Sequence, residues 1–339
     1  MDEMRYETPT SVNAAVKLLA GEKGLAKVLA GGTDLLVQMR GETVVPNLIV
    51  DIKKIADMKA IKKEKGGFRV GAAVSGAELG EHPELSKMWP GVVEATELIG
   101  STQVQGRATM TGNLCNASPG ADSVPALIAA GALAAIAGPN GKREVPVEQI
   151  PVSPGKTSLA KGEFVTSLFL PKRPKKSGDA YLRFIPRTEM DIAVVGCGIS
   201  LTLDKAGTVL AARVALGAVA PTALLVDAAA NAIIGTKLED AALDALAAAC
   251  SAACRPIDDK RGTKEFRIQI AGVLARRVAL IARTAPVVVS AFLPAVEDRL
   301  ILPLVVGAAE REGILGPDHE GGPFAPGLAK RPLQRVELR

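Results

Sequence analysis

Two glycine-bearing loops are the places in this sequence where residue types and spacing could do chemistry. The first is Ala30-Gly31-Gly32-Thr33-Asp34-Leu35, where the apolar run at 27–30 gives way to the amphipathic stretch at 35–40. Two residues without Cβ at a strand-to-helix turn let backbone N–H groups approach a phosphate oxygen, and the helix start adds partial positive charge. An ordinary tight turn satisfies the same pattern. The second loop runs from Gln103 to Asp122 and gathers Gly106, Thr109, Thr111, Gly112, Asn113 and Ser118 in a segment without periodicity. Such a density of hydroxyls and bare amides suits an anionic, polyhydroxylated ligand, with amides for phosphate and the Asp122 carboxylate for ribose hydroxyls. Asp122 also stands where it would cap a following helix, and capping alone accounts for it equally well.

Other chemistries find no residues. Gly155-Lys156-Thr157-Ser158 resembles the end of a P-loop, but the earlier glycine that motif requires is Ile150. Gly196-Cys197-Gly198 lacks the third glycine of a dinucleotide fingerprint, Leu201 standing in its place, and sits in a β-like run. The two histidines, His82 and His319, lie near no Ser or Cys with elbow geometry. Two His and four Cys without a CxxC pair make neither a zinc site nor a redox dithiol. Redox chemistry borrowed from a cofactor is then the better explanation of the loops.

Alternating strands and helices must position these loops. Val12, Ala15, Val16 and Leu19 repeat at helical spacing after Ser11, and the run 47–52 is β-like, so the first loop sits in a strand, glycine turn, helix, strand sequence. Residues 68–73 read as a strand, Ser75 and Glu78 have capping-box spacing, 90–100 is helical, and 163–171 closes this half as a strand. The Ala-rich run 122–136 predicts a helix. Residues 171–179, Pro-Lys-Arg-Pro-Lys-Lys-Ser-Gly-Asp, have linker chemistry and predict a solvated domain boundary. Three antiparallel strands follow, two of them joined by a turn at Asp204–Gly207, and then two helices, near 238–253 and 264–283.

Composition bounds the rest. With 339 residues, 48% of them apolar, the chain is long enough for two domains with a sizeable core. It carries 34 Gly but only seven Phe, two Tyr and one Trp, which argues against stacking on single-stranded nucleic acid. The 41 Lys and Arg against 36 Asp and Glu leave a net charge of +5, which suits an anionic small molecule without implying nucleic acid. The start lacks a signal-peptide pattern, the apolar run at 300–309 is broken by Pro303, and the thiols suit a reducing compartment, so a cytoplasmic location is expected.

The segments LAGGTDLL near the start and QVQGRATMTGNLCNASPGADSVPAL about 70 residues later make the chain resemble the FAD-binding medium subunit of the molybdenum hydroxylases, the xanthine dehydrogenase and carbon monoxide dehydrogenase family. The resemblance covers most of residues 4–285, because GKREVPVEQI, GKTSLAKGEFVTSLFLP and DDKRGTKEFRIQIAGVLARRVAL follow in family order. It implies an α+β protein: a two-subdomain α/β FAD-binding domain of the vanillyl-alcohol-oxidase-like type at 1–172, a linker at 173–178, and a C-terminal domain with a three-stranded antiparallel sheet and helices at 179–285. The tail, 286–339, contains VVVSAF and LILPLVVGAA and is expected to cover a partner subunit.

What the resemblance implies for residues is specific. Ala30, Gly31, Gly32, Thr33, Asp34 and Leu35 would wrap the FAD pyrophosphate by backbone amides. Thr109, Thr111, Gly112 and Asn113, with Ser118, would form the opposing cradle, and Asp122 would bond the adenosine ribose. Val165 falls near the adenine side or the ring pocket, Arg183 where a basic residue approaches the flavin, and Asp191 and Ile192 where the second domain reaches the isoalloxazine ring. A structural Arg183–Asp191 ion pair is the alternative for those two. Thr111 replaces a family glycine, so its backbone must avoid positive φ or carry strain. Cys115 matches the first cysteine of an additional iron–sulfur site in one branch, but the rest of that insertion is missing, and Cys115 reads as a small loop residue.

The implied function is an oxidoreductase subunit that carries FAD, takes electrons from the [2Fe–2S] clusters of an iron–sulfur subunit and passes them to NAD, a quinone or another acceptor. Substrate oxidation would take place in a molybdopterin subunit of the heterotrimer, which can dimerise. A free-standing FAD oxidoreductase with its own substrate pocket would instead be reduced by substrate alone, and a scaffold subunit that has lost flavin would show no flavin spectrum.

Overall fold

The computed structural model describes residues 4–187 and 190–284. Its chain start forms a small parallel sheet in the order Arg5–Glu7, Leu48–Asp51, Ala26–Leu29, with Leu48–Asp51 buried at the centre. The helix Val12–Gly21 covers it with Ala15, Val16 and Leu19, and Ser11 accepts from the Ala14 N–H as the spacing predicts. The first glycine loop leaves the C-terminal end of Ala26–Leu29, the end of parallel strands where ligands bind.

The second subdomain is an antiparallel five-stranded sheet in the order Ile61–Glu64, Gly67–Gly71, Phe164–Pro171, Leu133–Gly138, Gly141–Pro146. One face packs on short helices around Leu79, Leu85, Trp89, Val92, Leu114 and Leu127. The run at 122–136 is not one helix: Ser123–Ala129 is helical, the chain turns at Gly131 with φ 66°, and Leu133–Gly138 pairs with strands on both sides. Alanine's local preference yields there to the cross-strand ladder. The capping box forms as expected, with Ser75 Oγ accepting from Glu78 N–H and Glu78 accepting from Ser75 N–H. Ser75→Ala is therefore expected to cost about 1 kcal/mol, read as a lowered urea midpoint.

The C-terminal domain is an antiparallel sheet of Ser177–Phe184, Val195–Leu203 and Val209–Gly217, extended by a two-residue fourth strand, Leu224–Leu225. Helices Asp240–Ala253 and Lys264–Thr284 pack on it through Leu243, Leu246, Leu274 and Val278. Asp204 takes the N–H groups of Ala206 and Thr208 at the hairpin, where Gly207 has φ 84°. The linker is not simply solvated. Arg173 bonds Asp179 and the Ser177 carbonyl, its guanidinium lies 5.2 Å from the Trp89 ring centroid, and its side chain is only 10% exposed. The reason is its partner, a buried carboxylate whose burial pushes Asp179 to about 7, which draws the cation inward. The expected tail at 286–339 lies outside the described residues. No described helix is long and apolar enough to cross a membrane.

Candidate functional site

The two glycine loops meet. A Cβ on Gly31 would stand 1.8 Å from the Arg107 carbonyl oxygen and 2.7 Å from its carbon, so only glycine lets the loops approach this closely. Gly32 follows with φ 80°, in the left-handed region that favours glycine, and turns the chain into the helix Leu35–Arg40. Lys53 supports the loop, donating to the Ala30 carbonyl at 3.0 Å while paired with Asp51 at 2.8 Å.

The second loop contains local order too short to register as periodicity. Thr102–Gln105 and Met110–Cys115 are short helices of four and six residues, and Thr109 caps the second by accepting from Gly112 N–H at 2.9 Å. Thr111 lies inside that helix and has no positive φ, so replacing a family glycine there carries no backbone strain. Asn113 Oδ1 accepts from Ser123 N–H at 3.1 Å and from Ser123 Oγ at 2.7 Å. It thereby caps the helix Ser123–Ala129, the role open to Asp122, whose side chain makes no cap bond.

Between the loops lies a cleft of about 530 Å³, within the range of cofactor sites. Ala30, Gly31, Gly32, Thr33, Asp34, Leu35, Thr109, Thr111, Gly112, Asn113 and Val165 line it. Among the described residues, the N–H groups of Gly32, Thr33, Asp34, Leu35 and Thr111 have no hydrogen-bond partner. Main-chain donors left without a partner on residues that line a concavity are what a pyrophosphate needs, so this cradle fits the expected FAD. The cleft extends along Leu25, Lys27, Val28, Leu159, Lys161 and Phe164, which line it as well. Sequence reasoning missed this extension. Its one signal was the position of 27–30 immediately before the loop. Cys115 also lines the cleft, with burial pushing its thiol to about 12, which suits a small neutral wall residue.

Ser118, Asp122, Arg183, Asp191 and Ile192 do not line the cleft. They gather at the junction with the C-terminal domain. Asp122 is buried, and its two oxygens accept from Tyr181 at 3.0 Å and Arg183 at 2.7 Å. Burial raises Asp122 to about 6, while Arg183 and Tyr181 act to lower it. Arg183 also donates to the Leu98 carbonyl at 3.0 Å and to the Asp191 main-chain carbonyl at 3.5 Å, while its ion pair is with Asp122 and not with the Asp191 carboxylate. Asp191 instead faces Arg187 at 3.1 Å and Arg261 at 3.7 Å. Its hydrogen bond with Arg187 is the main influence holding its carboxyl below the usual range. Ser118 Oγ accepts from Gly120 N–H at 3.3 Å, and Ile192 lies beside Gly120, 51% exposed.

Comparison with known proteins places this architecture. Residues 2–173 match the FAD binding domain in molybdopterin dehydrogenase, and residues 180–282 match the CO dehydrogenase flavoprotein C-terminal domain. The chain is 33% identical over 273 residues to the carbon monoxide dehydrogenase medium chain of Hydrogenophaga pseudoflava, covering 80% of this chain and 94% of that one. It is 31% identical over 279 residues to a putative xanthine dehydrogenase FAD-binding subunit of Escherichia coli K12, covering 82% and 95%. Carbon monoxide dehydrogenase from Hydrogenophaga pseudoflava superposes with a TM-score of 0.80 at 32% identity over 84% of this chain and 98% of that chain. Quinoline 2-oxidoreductase from Pseudomonas putida 86 gives 0.77 at 25% identity, over 84% and 98%.

Proposed function

The chain belongs to the family of FAD-binding subunits of the molybdopterin dehydrogenases, and from that premise we propose that it is the electron-transfer subunit of a molybdenum-dependent hydroxylase. In this reading it takes electrons from the [2Fe–2S] clusters of a partner subunit and delivers them to NAD, a quinone or another acceptor. Substrate is oxidised in a molybdopterin subunit of the same heterotrimer. The complex works in the cytoplasm, where the four free thiols stay reduced. Residues 1–172 are the FAD-binding half, and 179–285 the domain that closes over the ring end.

The observation that carries the reading is the contact of Gly31 with the Arg107 carbonyl, because it sets two loops with unpaired N–H groups against one cleft. Bound FAD would supply acceptance of electrons singly or in pairs. The chain's own residues would do the holding: main-chain amides of Gly32 to Leu35 and Thr111 would hydrogen-bond the pyrophosphate, and the Thr109 and Asn113 side chains brace the second loop by capping. Val165 packs along the cleft wall. Asp191 and Ile192, outside the cleft at the junction with the C-terminal domain, would meet the ring edge, where Ile192 would shield a ring face from water and Asp191 would set the local charge. Arg183 orders this edge from behind, through Asp122 and Leu98.

Mixing the FAD-loaded chain with xanthine, quinoline or carbon monoxide should leave the flavin oxidised, and adding the reduced iron–sulfur subunit should bleach it. Bleaching by substrate in the isolated chain would favour the free-standing oxidoreductase instead.

A further inference from the structure

The helix Leu35–Arg40 that follows the first glycine loop has no buried residue, and its Leu36 and Val37 are 54% and 69% exposed. Core packing therefore does not fix its position. A side-chain bond does reach it from the second loop: Gln38 Nε2 donates to Asn116 Oδ1 at 3.0 Å, across 78 residues of sequence. Both ends of this bond are anchored. The Gln38 carbonyl accepts from Thr43 N–H and Thr43 Oγ1 at 3.0 Å each, and Asn116 N–H donates to the Gly112 carbonyl at 2.8 Å at the end of Met110–Cys115. Both residues also line the cleft.

We propose that Gln38 and Asn116 form a latch that holds the two loops at their binding separation before the cofactor arrives, making them positioning residues for FAD. This rests on the cleft being the FAD site. The loops are thus joined twice, by main chain at Gly31 and Arg107 and by side chains at Gln38 and Asn116. With the latch in place, binding does not have to order the helix that carries Asp34 and Leu35; without it, that ordering opposes binding. A hydrogen bond of this kind has a modest net effect, so its loss is expected to weaken FAD binding about five- to tenfold.

The test uses the full chain stripped of flavin, as wild type, Gln38→Ala, Asn116→Ala, the double variant, and the exchange Gln38→Asn with Asn116→Gln, which preserves the combined reach. FAD dissociation constants from flavin fluorescence should rise about five- to tenfold in each single variant and no further in the double, and the exchange should restore most of the affinity. Amide hydrogen exchange at 35–40 should quicken in the flavin-free single variants while the thermal midpoint stays near wild type. Wild-type affinity in the single variants, or effects that add in the double, would overturn the latch. A wild-type chain that takes up no FAD would overturn the site itself, a different result from loops that bind FAD equally well without the bond.

Discussion

Gly31→Ala is expected to weaken FAD binding about a hundredfold, close to 2.8 kcal/mol at 1.4 kcal/mol per decade. The added Cβ would stand 1.8 Å from the Arg107 carbonyl oxygen, 2.7 Å from its carbon and 3.3 Å from the Ala108 Cα. All three atoms are main chain, so no rotamer change relieves the overlap and one loop must withdraw from the other. That withdrawal separates the N–H groups of Gly32 to Leu35 from that of Thr111, the donors that together would hydrogen-bond the pyrophosphate. Gly106→Ala in the second loop is the control. A Cβ there meets nothing within 4 Å, and φ is −67°, open to any residue. Equilibrium titration of the flavin-free variants checks both, and unchanged affinity in Gly31→Ala would mean that the loops do not grip the cofactor jointly.

Arg183→Met should destabilise the chain by about 3–5 kcal/mol at pH 8, because it strands a buried carboxylate. The Asp122–Arg183 pair joins the start of helix Ser123–Ala129 to the strand Ser177–Phe184, at 2.7 Å and with both side chains buried. Burial raises Asp122 from 3.8 to about 6 in the wild type. A carboxyl raised on folding makes the native state bind more protons than the unfolded chain, so its contribution declines as pH rises from 3.8 to about 6. Without Arg183 the folded value rises further and that window extends upward. At pH 5 the variant carboxyl is neutral and the deficit should shrink to about 1–2 kcal/mol, mostly lost hydrogen bonds. Urea midpoints at the two pH values read this difference, and Arg183→Met with Asp122→Asn should recover much of the pH 8 loss. A deficit that is equal at both values would contradict the role of Asp122's charge.

Local signals were legible in the sequence, and long-range pairings were not. Ser11 and Ser75 act within their own turn, and the periodicity of 264–283 spans several turns, so caps and helix could be read directly. The glycine loops were legible because a missing Cβ is itself a local statement about close approach. Residues 133–138 were misread because alanine favours a helix until strands Phe164–Pro171 and Gly141–Pro146 pair with it. The partners of Asp122 lie 59 and 61 residues away, Asn116 lies 78 from Gln38, and Lys53 lies 23 from Ala30. No spacing rule reaches across such distances. For Lys53 there was a usable hint, since it follows the central strand at the end where parallel sheets bind ligands.

The central claim is that paired loops hold FAD through its pyrophosphate. Its most direct measurement is the equilibrium binding of FAD and of FMN, which lacks the pyrophosphate, to the flavin-free chain. The structure predicts one FAD per chain, a flavin absorbance that survives gel filtration, and little retention of FMN. A chain that stays colourless after reconstitution with FAD, or that retains FMN as firmly, would contradict it.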